Sequence, residues 1–479
     1  MSTHSEQPVA TQTQAGTQPE TPATSSDPVY RLEETFTKEY EEYFQRSLAK
    51  KIKNQEDVRN RAREIEQATG LKVGVIYVSF TPTSLTSDET PCQTQSQSRG
   101  LTSTFDQRFG YRRSELTQVS KSYSQRQGTC QAAASDQLEL LLITAEGEPI
   151  LRRVPGANRA NVLAMTQEFQ QTLTNPKDTQ TTNYLSSAQQ LYRWLIAPLE
   201  PDLQTREIRS LVFAMDTGLR SLPVAALHDG HQFLVERYST SLVPSLSLTG
   251  SYHQNIESLQ VLAMGASQFP DQAPLPGVPI ELSTITQQLW RGKFFLNNTF
   301  TLENLKAQRR QSGFGIIHLA THAEFNPGDP SNSYIQLWNR KLRLDELQEL
   351  QLSEPPVELL VLSACRTALG NEDAELGFAG SALQAGVNST LATLWYVSDR
   401  GTLALMTDFY RQLSQIPIKS EALQQAQIAL IRGNVHIENN RLYYSGKSIA
   451  LPPEWSKDEA LNLSHPYYWA GFTLVGNPW

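Results

Sequence analysis

Five nearly continuous apolar segments follow residue 207: IRSLVFAM (208–215), LQVLAMGA (259–266), GFGIIHLAT (313–321), VELLVLSA (357–364) and STLATLW (389–395). Amphipathic patterns of helical period lie between and after them, at 279–290, 301–311, 344–350, 375–386, 399–413 and 420–432. A strand that is apolar along its whole length must be covered on both faces, and alternation with helices supplies that cover. The predicted fold class is therefore α/β. Its centre is a largely parallel sheet flanked by helices on both faces and preceded by a smaller α+β region.

Three stretches follow from this pattern. Residues 1–29 are rich in Ser, Thr, Gln and Pro, with Val9 the one sizeable apolar side chain between Met1 and Val29, and read as a disordered tail or linker. Residues 30–205 form the N-terminal α+β region. It opens with a helical hairpin ending at Gly70, continues with a strand at 71–80 and a strand pair around Gly147, and closes with helices at 158–174 and 184–198. A polar insertion at 81–135, which carries Cys92 and Cys130, interrupts it. A structureless connection of that length is unusual inside a compact domain. Residues 206–479 form one α/β domain.

Charge narrows the function classes. The 41 Lys and Arg against 49 Asp and Glu leave a net charge of −8 without a dense basic run, which argues against nucleic-acid or anionic-membrane binding. No apolar stretch approaches the roughly 18 residues that span a bilayer, and the first 28 residues hold no signal-peptide core, so a cytoplasmic location is expected. Three cysteines are too few for a disulfide scaffold or a Cys-built zinc site.

In open parallel sheets, ligands bind beyond the carboxyl ends of strands. Two of the predicted strands end in reactive groups there: GIIHLAT runs into Thr321-His322-Ala323, and VELLVLSA runs into Cys365-Arg366-Thr367. If the two strands are neighbours, His322 and Cys365 emerge side by side as a base and a nucleophile, because a thiolate attacks and an imidazole governs its proton. Each residue alone is read more simply, Cys365 as a buried strand-end thiol and His322 as a ring bonded to backbone. His318 would share the face of His322 about 13 Å away along the strand, too far for a shared metal, and reads as a core residue.

The segments HLATHAEFNPGDPSNSYIQL, ELLVLSACRTALGNEDAELGFAGSALQAGVNSTLATLWYVSD and HPYYWAGFTLVGNP resemble the CHAT domain, a caspase-HetF-associated peptidase-like domain of bacteria. The upstream MDTGLRSLPVAALHDGHQFLVERYSTSLVPSLSL and PLPGVPIEL extend the resemblance over nearly all of 207–479. It implies a caspase-like α/β fold and a Cys–His dyad of Cys365 and His322. It also implies an oxyanion hole made by the backbone N–H groups of Ala323 and Cys365, with Ala323 standing where caspases carry Gly.

Specificity is carried by fewer signals. Arginine- and lysine-directed relatives often hold an acid two residues before the nucleophile, and this chain has Ser363 there. Asp399, Glu324 and Asp329 remain candidate substrate-binding charges; as plain structure they are a helix N-cap and two solvated loop carboxylates. The expected function is a cysteine endopeptidase acting on a protein or peptide substrate, latent until triggered, with a possible regulatory protein partner and with no metal or other cofactor. The alternative is a non-catalytic interaction module of the same fold.

Overall fold

The computed structural model describes residues 27–82, 134–250, 255–367, 369, 371–381, 385–457 and 461–479, with 364–367, 379 and 457 described as backbone. Most of the predicted tail and of the insertion, including Cys92 and Cys130, lies outside the described residues.

Two helices open the described chain, α1 (Pro28–Tyr43) and α2 (Gln55–Thr69). The first begins two residues earlier than the hydrophobic pattern predicts. Asp27 caps it by accepting from the N–H groups of Val29 and Tyr30, and Pro28 takes the first turn, where its missing N–H costs nothing. Asn54 caps α2 in a reciprocal box with Asp57, and Gly70 ends it at φ 71°. Strands β1 (Val73–Thr81), β2 (Gln137–Thr144) and β3 (Ile150–Asn158) follow, then α3 (Arg159–Leu173), α4 (Leu185–Leu195) and the short α5 (Glu200–Thr205).

Next come β4 (Ser210–Met215), β5 (Ser239–Val243), β6 (Gln260–Gly265), α6 (Val278–Thr284), β7 (Gly292–Leu296), α7 (Leu302–Gln311) and β8 (Phe314–Phe325). The hairpin β9 (Tyr334–Gln336) and β10 (Lys341–Arg343) leads to β11 (Leu359–Thr367), α8 (Glu372–Ala379), β12 (Ser389–Thr393), α9 (Asp399–Leu413) and α10 (Lys419–Ile431). A separate three-stranded sheet, β13 (His436–Glu438), β14 (Arg441–Tyr444) and β15 (Lys447–Ala450), precedes the final β16 (Phe472–Gly476).

Thirteen of these strands form one mixed, mostly parallel sheet flanked by helices. Strands β7, β6, β8, β11 and β12 run parallel to one another. At β12 the direction reverses: β16 pairs with it antiparallel and begins a second parallel block, β16, β5, β4 and β1, which β2 and β3 complete antiparallel. Both faces are covered. Val73, Val75 and Tyr77 of β1 pack with Val29, Phe36, Val58 and Ile65 of α1 and α2, while the alternate Ile76 and Val78 join the core that holds Val162 and Phe169 of α3 and Leu191 of α4. Each such fully buried side chain contributes about 1.5–3 kcal/mol.

The division predicted at 205/206 runs between two hydrogen-bonded neighbours, since β1 pairs with β4 from Val73↔Ser210 to Val78↔Met215. No helix among the described residues is long and apolar enough to cross a membrane.

Candidate active site

The site is built where β8 changes partners. On the side away from β11, β6 pairs with β8 as far as Gly265↔Ala320, and β9 takes over at Ala323↔Ile335. The close approach at the end of β6 requires glycine, because a Cβ on Gly265 would lie 2.4 Å from the Ala320 carbonyl oxygen. His322 falls in the gap between the two partner strands. On the β11 side the register also slips: Leu319 faces Leu362 and His322 faces Ala364, so that Ala320 and Thr321 together oppose Ser363. Such bulges locally re-aim a strand and recur beside functional sites.

Three contacts pin the His322 ring, which is half-buried. Its Nε2 donates to the Ala273 carbonyl at 2.8 Å, Phe269 lies 4.6 Å away between ring centroids, and Tyr396 stacks at 6.2 Å and 25°. A carbonyl only accepts, so Nε2 carries the proton and the neutral ring keeps its lone pair on Nδ1. Burial lowers the imidazole pKa below its ordinary 6.5, against the Ala273 hydrogen bond and the Glu324 carboxylate, which favour the charged form. The ring is therefore mainly neutral near pH 7 and able to take up a proton.

Both strands continue past the point where the sequence pattern ends them. β8 runs to Phe325 and β11 to Thr367, and the pairing proceeds through Cys365↔Ala323, Arg366↔Glu324 and Thr367↔Phe325. The apolar run stops at Ala364, but pairing of β8 with β9 on its other flank lets the polar end of the ladder persist. Ala323 sits in this extended strand, where a Cβ is no obstacle. Cys365 and the residue after His322 are thus ladder partners on strands about 4.8 Å apart.

The other predicted residues take separate places. Ser363 is buried at the bulge. Glu324 is half-buried on the strand of His322 and acts electrostatically on both His322 and Tyr334, over whose ring Lys341 Nζ sits at 3.9 Å. Asp329 is exposed and caps its own turn by accepting from the N–H of Ser331. Asp399 is half-buried, and its Oδ2 accepts from the N–H of Gly277 at 2.6 Å; the N-cap of α9 is Ser398. Burial pushes the Asp399 carboxyl up to about 7, against the Gly277 hydrogen bond and with help from the nearby Glu281 charge.

His318 is a core residue. Its Nε2 meets Glu281 at 2.8 Å and its Nδ1 meets the Tyr410 hydroxyl at 3.2 Å, all three fully or almost fully buried between β8, α6 and α9. Among the described residues no group of three or more His, Cys, Asp or Glu is arranged to hold a metal ion. Sequence reasoning missed Phe269, Ala273 and Tyr396. No periodicity marks the first two, which lie in a Pro-rich loop, and Tyr396 signals only by its place after the strand end STLATLW.

The CHAT domain family matches residues 185–477, from the start of α4 to one residue past β16. The chain belongs to the CHAT domain family. No curated protein matches the chain. Among solved structures, a chain of the Saccharomyces cerevisiae separase–securin complex is similar at 10% identity and TM-score 0.44, over 88% of this CHAT protein and 31% of that chain. RgpB of Porphyromonas gingivalis, in a complex of its pro- and mature domains, is similar at 12% identity and TM-score 0.36, over 68% and 77% respectively. The Arg-specific cysteine proteinase gingipain R is similar at 12% identity and TM-score 0.36, over 66% and 74%. The CHAT protein thus spans about a third of the length of the separase chain.

Proposed function

We propose that this CHAT domain protein is a cysteine endopeptidase, latent until triggered, that hydrolyses peptide bonds with Cys365 as nucleophile and His322 as general acid and base. The observation that carries this reading is the pairing of β8 with β11 at their carboxyl ends, which sets His322 opposite Ala364 and Cys365 one residue further on, opposite Ala323, while the Nε2 of the ring is bonded to the Ala273 carbonyl. In the reaction His322 Nδ1 takes the thiol proton, and the Cys365 sulfur attacks the substrate carbonyl carbon. His322 then protonates the leaving amine as the carbon–nitrogen bond breaks, which leaves a thioester. Water, losing a proton to His322, attacks the thioester and releases the carboxylate and the thiol.

The backbone amides of Ala323 and Cys365 would hold the oxyanion. Ala323 has ladder partners on both flanks, Ile335 and Cys365, so its N–H points toward a neighbouring strand. The oxyanion role then needs one of those pairings to open, and a protein partner that parts this end of the sheet would be the trigger. The same zipped end also favours the second reading, a non-catalytic interaction module.

The test is hydrolysis of a mixed peptide library by the wild type, Cys365→Ala and His322→Ala. The expected outcome is cleavage that disappears in Cys365→Ala and falls by roughly a hundredfold or more in His322→Ala. Equal cleavage by all three proteins would remove the endopeptidase reading.

A further inference from the structure

Two loops hold the His322 ring, and the Asp399 side chain joins them. The loop 266–277, after β6, supplies Phe269 and the Ala273 carbonyl; the segment after β12 supplies Tyr396. Asp399 closes the circuit where both loops turn into helices, its Oδ2 accepting from the N–H of Gly277 one residue before α6. The carboxylate is not needed by its own helix, because Ser398 Oγ already caps α9 by accepting from the N–H of Gly401.

Gly277 explains its own identity through this contact. Its φ of −72° and ψ of −27° suit any residue, so backbone freedom is not what glycine provides. A Cβ there would lie 2.7 Å from Asp399 Oδ1 and 3.0 Å from its Cγ, so a side chain at 277 would push the carboxylate away. One turn further along α6, Glu281 bonds His318, and His318 meets Tyr410 of α9. The helices α6 and α9 are therefore tied to β8 in the core and to each other at the cleft.

We propose that Asp399 is a positioning residue for His322: by holding Gly277 it sets the spacing of the two loops that clamp the imidazole, and so fixes the ring with Nδ1 free. This deepens the endopeptidase reading and rests on it for its catalytic meaning. It assigns the Asp399 carboxylate to the protein's own backbone instead of to a substrate charge.

The test follows the titration of His322 in the full chain by NMR of 13C-labelled histidine rings, with the signal identified through His322→Gln. The groups facing the ring are Phe269, the Ala273 carbonyl, Tyr396 and Glu324. In Asp399→Ala the clamp loosens, water reaches the ring, and its pKa is expected to rise toward the ordinary value. Asp399→Asn keeps an acceptor for Gly277 and is expected to retain the wild-type titration. Gly277→Ala, which displaces the carboxylate without altering it, is expected to behave like Asp399→Ala, and the double variant to move the titration no further than either single one. Should Asp399→Ala fail to fold, Gly277→Ala and Asp399→Asn decide the matter. An unchanged His322 titration in Gly277→Ala, or equal shifts in the Asn and Ala variants, would overturn the proposal. Alkylation of Cys365 in the same samples separates the two ideas: a shifted His322 titration beside a thiol indifferent to His322→Gln would keep the clamp and remove the endopeptidase.

Discussion

At the residue scale, the site depends on burial working in opposite directions on two neighbouring groups. It lowers the His322 pKa and so provides a base, and it raises that of Asp399 to about 7. Because the folded Asp399 holds its proton more tightly than an unfolded aspartate at 3.8, its contribution to stability is complete below about pH 4 and is lost as pH rises through about 7. Asp399→Asn carries no such proton. The wild type is therefore expected to lose melting temperature relative to Asp399→Asn between pH 5 and pH 8, as read by thermal unfolding at each pH. Parallel curves for the two proteins would show that the carboxyl titrates as an ordinary aspartate. The placement of His322 and Cys365 at the ends of neighbouring strands was legible in the sequence because each directly follows an apolar run. The aromatic clamp was not, since Phe269 and Tyr396 lie 53 residues before and 74 after His322 by number alone, and only the fold brings them onto one ring.

At the scale of elements, α1 is bound to the sheet by one buried carboxylate. Glu33 is fully buried and accepts from the Tyr77 hydroxyl at 2.7 Å, the N–H of Leu246 at 3.0 Å, the Ser245 hydroxyl at 3.0 Å and both the N–H and hydroxyl of Ser247 at 2.6 Å. Removing that acceptor strands several buried donors at once, so Glu33→Ala is expected to cost about 3 kcal/mol or more by urea denaturation. A cost below about 1 kcal/mol would mean that water replaces the carboxylate, as at an exposed site. Helical elements were the most legible part: the pattern at 399–413 coincides with α9, and that at 301–311 with α7 to within a residue. The three-residue strands β9 and β10 were not, because neither is long enough to show an alternation. Yet β9 is what carries the ladder past His322.

For the molecule as a whole, four of the five apolar segments become β6, β8, β11 and β12 of one parallel block, but the fifth becomes β4, outside that block. The reversal at β12 and β16 joins it to a block that includes β1, and no local signal announces a reversal, since FTLVG pairs equally well in either direction. The physical consequence is that β4 relies on β1 for one flank of its ladder and on α1 and α2 for cover over Val212 and Ala214. A fragment of residues 206–479 is accordingly expected to aggregate or to lack fixed tertiary packing, checked by near-ultraviolet circular dichroism and sedimentation. A monomeric fragment with the near-ultraviolet signal of the full chain would show instead that the two regions fold separately.

The central claim, an activated thiol beside His322, is tested most directly by the pH dependence of Cys365 alkylation with a small haloacetamide, resolved by peptide mass spectrometry in the wild type and in His322→Ala. Cys92 and Cys130 report ordinary thiols in the same digest. The account predicts that Cys365 reacts faster than both near neutral pH, with a profile that shifts upward and slows in His322→Ala. A Cys365 that follows the ordinary thiols and is unchanged by the loss of His322 would contradict it and leave the interaction module as the function of this fold.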